Sequence, residues 1–63
     1  MDEIVYVKYR NGDHGWQRIN LGNHKIVGAS SEGYQNKAEM KENARRINGE
    51  ASKDLVYPED IDE

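Results

Sequence analysis

Ile26-Val27-Gly28-Ala29-Ser30-Ser31-Glu32-Gly33-Tyr34-Gln35-Asn36-Lys37-Ala38-Glu39-Met40 changes its chemistry midway, and that change decides the fold class. The first half is β-branched and small, suited to a pleated strand. Asn36 followed three residues later by Glu39 has the form of a capping box: the Asn36 side chain accepts from a first-turn amide and Glu39 reaches back. Residues 37 to 48 are then a run of good helix formers, and Gly49 stands where a left-handed C-cap residue belongs. Met40, Ala44 and Ile47, joined by Ala51 if a last turn persists, recur at i, i+4, i+7. So narrow an apolar stripe needs a sheet to lie on.

The sheet is upstream. Residues 4–9 read Ile-Val-Tyr-Val-Lys-Tyr, a half-buried strand in which Ile4, Tyr6 and Lys8 share one face and Val5, Val7 and Tyr9 the other. The second face is the better core candidate by alternation. Asn11-Gly12-Asp13-His14-Gly15 tolerates positive φ and marks a hairpin, after which Trp16-Gln17-Arg18-Ile19-Asn20-Leu21 forms strand two. Gly22-Asn23-His24-Lys25 is the second turn, and strand three follows. The expectation is an α+β unit: antiparallel strands near residues 3 to 9, 16 to 21 and 25 to 30, then a helix near 37 to 48, in the order βββα. Its core is expected at Val5, Val7, Ile19, Leu21, Met40, Ala44 and Ile47. Leu55-Val56-Tyr57, ahead of Pro58, reads as a short edge strand, since proline cannot continue a central one. Residues 1–58 then make one domain, and 59–63 an acidic, frayed tail.

Composition narrows what such a unit does. Ala, Val, Ile, Leu, Met, Trp and Gly together supply 24 of 63 residues, about 38% against roughly 45–50% in ordinary domains. The core is thin, and chains near 60 residues without disulfides or metals commonly gain stability by associating. With no cysteine, disulfides, zinc-thiolate sites and thiol nucleophiles are excluded. The net charge of -3 belongs to the end of the chain: residues 1–53 carry nine basic and seven acidic groups, whereas 54–63 carry five acidic groups and no basic one. No apolar run approaches the ~20 residues of a membrane span. The start, Met1-Asp2-Glu3, is acidic where a secretory signal is basic, so the expected location is the cytoplasm.

No set of catalytic, cofactor-binding or metal-ligating residues stands out. His14 and His24 fall in turns and lack the spaced partners of a metal site. Ser30 and Ser31 precede Gly33 without forming a Gly-x-Ser-x-Gly elbow. Gly33 is explained by positive φ or close backbone approach, and Tyr34 by covering the helix entry. Lys37, just past the cap, is disfavoured by the helix dipole, which points to a salt bridge with Glu32 or to an interaction site. Lys37, Lys41 and Arg45 recur every four residues with Arg46 beside them, a basic helix edge that offers the one candidate contact for nucleic acid. Against it, Glu42 can pair with Arg45 or Arg46, and the whole chain is acidic.

Gly22-Asn23-His24-Lys25-Ile26-Val27, then Ser31-Glu32-Gly33-Tyr34-Gln35-Asn36-Lys37-Ala38, resembles the core signature of the small bacterial and archaeal YegP-like proteins, a family of unknown function. The likeness covers about residues 3 to 48, and Asn23, Glu32, Gly33, Tyr34, Lys37 and Ala38 carry its motif. Gln17 stands before Arg18 where the family usually has an aromatic, so the register of strand two, or a bulge near it, is where this chain departs. The resemblance implies a three-stranded meander with one helix packed on it, and single-copy relatives look like homodimers. No catalytic residue is implied. The expectation is therefore a non-enzymatic homodimer that binds an unknown protein partner, with weak nucleic-acid binding as the alternative and no cofactor, metal or membrane partner. Because both faces of strand one carry apolar groups, Ile4, Tyr6, Trp16, Leu55 and Tyr57 are expected at the dimer interface, with residues 55–57 able to pair across the axis.

Overall fold

A computed structural model describes residues 1–58, so the acidic tail expected at 59–63 lies outside the described residues. The elements follow in the order β1 (Asp2–Lys8), β2 (His14–Asn20), β3 (Ile26–Ala29), α1 (Lys37–Asn48) and β4 (Leu55–Val56). They form one sheet in the order β3-β2-β1-β4, in which β1, β2 and β3 are antiparallel neighbours and β4 runs parallel to β1. This is the expected βββα unit with its C-terminal strand. That strand pairs with β1 of its own chain, Asp2 opposite Leu55 and Glu3 opposite Val56.

The turns form for the reasons their residues suggest. Gly12 takes φ +93°, a left-handed conformation that glycine adopts without a Cβ penalty. In the second turn His24 takes φ +60°, and asparagine side chains hold the backbone there. The Asn20 amide oxygen accepts from Gly22 N–H and Asn23 N–H, and that of Asn23 accepts from Lys25 N–H. β3 then pairs with β2 through an irregularity: Arg18 lies opposite Gly28 and Ile19 opposite Ile26, so Val27 is the extra residue of a bulge. At the helix entry Asn36 accepts from Ala38 N–H at 2.8 Å and Glu39 N–H at 3.2 Å.

The core corrects the expected choice of face. Ile4, Trp16, Met40, Ala44 and Leu55 are the buried apolar side chains, with Tyr6, Tyr34 and Tyr57 packed around them. Register is the reason. Tyr6 lies opposite Trp16 and Ile4 opposite Arg18, and facing residues in an antiparallel pair share a face. The single tryptophan, the bulkiest side chain available, therefore takes Ile4 and Tyr6 inward with it, and α1 covers that side. Val5, Val7 and Ile19 are left half-buried on the other side, while Tyr9 and Leu21 are exposed. Ile47 is also not in the core, being 64% exposed. The last helical turn meets β2 through Asn48 instead, whose amide donates to Ala44 C=O at 2.8 Å and accepts from Arg18 at 3.3 Å.

Arg18 reaches β1 as well. Its Nε lies 2.6 Å from the Asp2 carboxylate, which also accepts from Asn20 Nδ2 at 3.1 Å. The hydrogen bond from Arg18, backed by its charge and by Asn20, outweighs desolvation and holds the Asp2 carboxyl below its ordinary value of 3.8. A carboxyl depressed by folding adds stability above its unfolded value, and that contribution disappears as pH falls through the lower folded value. Melts of the wild type and Asp2→Asn between pH 6 and pH 2 are expected to differ at the upper end and converge at the lower. A constant gap over that range would refute this role for Asp2.

Candidate functional site

Within the stretch Glu32-Gly33-Tyr34-Gln35-Asn36-Lys37-Ala38, the fold uses Gly33 and Tyr34 to tie the chain entering α1 to β2. His14 N–H donates to Tyr34 C=O at 2.7 Å and Tyr34 N–H to His14 C=O at 2.9 Å. The approach is close enough that a Cβ at Gly33 would stand 2.7 Å from Asp13 Cβ. Of the two explanations open for Gly33, close backbone approach is the one found. Asn23 closes the second turn, as described. Glu32, Lys37 and Ala38 are exposed. Lys37 and Glu32 form no ion pair, so the expected bridge between them is absent.

Tyr34 lines a hollow of about 360 Å³ with Glu39, Glu42, Asn43 and Arg46. Several of these groups already have partners. The Asn43 amide oxygen accepts from Trp16 Nε1 at 2.8 Å, and Arg46 pairs with Glu42 at 3.0 Å. Among the described residues, no group of three or more His, Asp or Glu side chains is placed to hold a metal ion.

The basic helix edge is largely occupied within the chain. Lys41 Nζ sits 5.7 Å from the centre of the Tyr6 ring, and the Arg45 guanidinium 4.3 Å from that of Tyr57. Arg45 also pairs with Glu50 at 2.6 Å. Of the four cations expected to face phosphate, Arg45 and Arg46 have carboxylate partners, Lys41 rests over a ring, and Lys37 is exposed without an ion pair.

The five residues expected to meet a second copy lie elsewhere in the molecule. Ile4, Trp16 and Leu55 belong to the chain's own core, and Tyr6 and Tyr57 pack on it. The Tyr57 hydroxyl donates to Gly49 C=O and, at 3.4 Å, to Ala44 C=O, closing carbonyls at the end of α1. Burial pushes the Tyr57 phenol above its ordinary value.

The surface left open is the other side of the sheet. It carries Val5, Val7, Ile19, Ile26 and Val56 by the strand registers, and Ile26 is 57% exposed. Alternation assigns Val5, Val7 and Ile19 to the interior until the Tyr6–Trp16 pairing is known. A hairpin register worked out from the 9–13 turn is the sequence signal that would have placed them outside. No helix of the described chain is long and apolar enough to cross a membrane. No family model, curated protein or solved structure matches the chain.

Proposed function

We propose that the chain is a non-enzymatic, homodimeric, cytoplasmic domain of the YegP-like kind that acts by binding protein surfaces, its own copy first. One observation carries the reading: the buried apolar side chains all serve the helix side of the sheet, while the opposite side is apolar and open. Small domains with so little core commonly complete it by association, and exposed apolar patches mark interaction sites. The likeness of residues 22–27 and 31–38 to single-copy relatives that look like homodimers points the same way. The ring and carboxylate partners of Lys41, Arg45 and Arg46 weigh against a phosphate-binding edge.

Sedimentation equilibrium at micromolar concentration is expected to return about twice the chain mass of 7.3 kDa. The melting temperature is expected to rise with protein concentration. A monomer whose transition ignores concentration would overturn the reading.

A further inference from the structure

Asparagine stands directly before glycine twice in the chain, at Asn11-Gly12 and at Asn48-Gly49. That pair carries a chemistry of its own. The side-chain amide carbon of asparagine is an electrophile, and the backbone nitrogen of the next residue can attack it to close a five-membered ring. Glycine, with no Cβ, puts the least bulk in the way, and every other asparagine here precedes a residue with a Cβ. The chain therefore holds one reactive pair in two surroundings, and the fold treats the two oppositely.

Asn11 lies exposed in the turn between β1 and β2. Its side chain folds forward: the amide oxygen accepts from Asp13 N–H at 3.0 Å, and Nδ2 donates to the Asp13 carboxylate at 3.3 Å. A side chain bonded two residues ahead spans the Gly12 peptide, which brings its carbonyl carbon alongside the attacking nitrogen. The Asp13 N–H also points at the oxygen on which negative charge develops. Gly12 N–H is held by Tyr9 C=O at 2.9 Å, in an exposed turn whose opening costs little. Asn48 faces the other way. A helical side chain leans toward the N-terminus, and here Nδ2 donates to Ala44 C=O at 2.8 Å while the amide oxygen accepts from Arg18 at 3.3 Å. Gly49 N–H donates to Arg45 C=O at 2.7 Å, and Gly49 C=O accepts from the Tyr57 hydroxyl. Both ends of the Asn48 amide and both polar groups of Gly49 are tied down, so ring closure there waits on unwinding of the last helical turn.

We infer that Asn11 is a self-modification site of the folded protein and that Asn48 is shielded from the same reaction. The Gly12 nitrogen, losing its proton to solvent, bonds to Asn11 Cγ. The Cγ–Nδ2 bond breaks, and the nitrogen takes a proton from solvent and leaves as ammonia. Water then adds to either carbonyl of the succinimide and opens the ring, leaving aspartate or isoaspartate at position 11. Each product places a new carboxylate beside that of Asp13. Isoaspartate also lengthens by one carbon the backbone path of a turn closed by Tyr9 N–H to Asp13 C=O at 2.8 Å. Chemical ageing therefore falls on the β1–β2 turn and spares the helix end that Asn48 ties to β2.

The test incubates the full chain at mildly alkaline pH in two samples, one folded and one in guanidinium chloride, until the denatured sample has reacted at both sites. Emission from Trp16, buried in the native chain, checks that the first sample stays folded. Cleavage at lysine separates residues 9–25 from 42–53, and fragment-ion mass spectrometry locates the gain of one mass unit. In denaturant the two pairs are expected to react at similar rates. In the folded chain Asn11 is expected to react at least roughly tenfold faster than Asn48, since only the second site must wait for a helix end to open. Both aspartate and isoaspartate are expected at position 11, the mark of the ring intermediate. A rate ratio no larger in the folded chain than in denaturant would overturn the proposal, as would a folded chain that resists at both sites, or aspartate alone at position 11.

Discussion

Replacing Trp16 by alanine is expected to cost about 3–5 kcal/mol, the range for truncating a buried aromatic. A 63-residue chain holds roughly 3–9 kcal/mol in all at the usual 0.05–0.15 per residue. The variant should therefore lose about a third or more of that stability, read as a lowered thermal midpoint by far-ultraviolet circular dichroism. The effect is large because the indole does two things at once. It fills the space between Ile4, Met40, Ala44 and Leu55, and its N–H holds Asn43 on the helix at 2.8 Å. Trp16→Phe separates the two: it keeps most of the apolar contact but strips the Asn43 oxygen of its donor, at a cost of about 1–3 kcal/mol. A cooperative, wild-type-like melt from the alanine variant would mean that the indole does not hold the helix to the sheet.

Met40 and Ile47 make the second test, since they sit at i and i+7 of one apolar stripe and differ only in where the helix meets the sheet. Met40 has no exposed surface, so Met40→Ala is expected to lose about 2–5 kcal/mol. Ile47 is 64% exposed, and truncating it should change stability by no more than about 0.5 kcal/mol. Urea midpoints of the two variants settle the contrast. Equal losses would place the last helical turn on the sheet, contrary to the role given to Asn48.

Local chemistry made the elements legible, and pairing decided what it could not. Asn36 announces the helix start because a short amide side chain accepts first-turn amides wherever it stands, and both of its bonds are found. Gly12 and Asn23 likewise mark turns through properties of single residues. The inward face of β1 has no such local cause. Val5 and Val7 look better buried than Ile4 and Tyr6 until β2 is laid beside them, and one residue of slip exchanges the two sets. The same step bears on the candidate interface, because Ile4 and Tyr6, expected to face a partner, share the inward face with Trp16. Asn48 was hidden for a related reason: a polar residue at a helix end reads as solvated unless the guanidinium of Arg18 is known to arrive from the neighbouring strand.

The parallel pairing of β4 with β1 joins the two ends of the described chain and has a consequence for the order in which the parts assemble. Joining Asp2 to Leu55 closes a loop of about fifty residues, an entropic cost of about 3.5 kcal/mol on the (3/2)RT ln n scale, against about 1.4 for the five-residue turn between β1 and β2. Two ladder positions and the Leu55 side chain must offset that difference, and they do so only when Ile4, Trp16 and Met40 are already gathered to receive Leu55. The hairpins and the helix therefore come together first. The C-terminal strand is expected to behave as a late latch, with the Leu55 and Val56 amides exchanging ahead of those of β1 and β2.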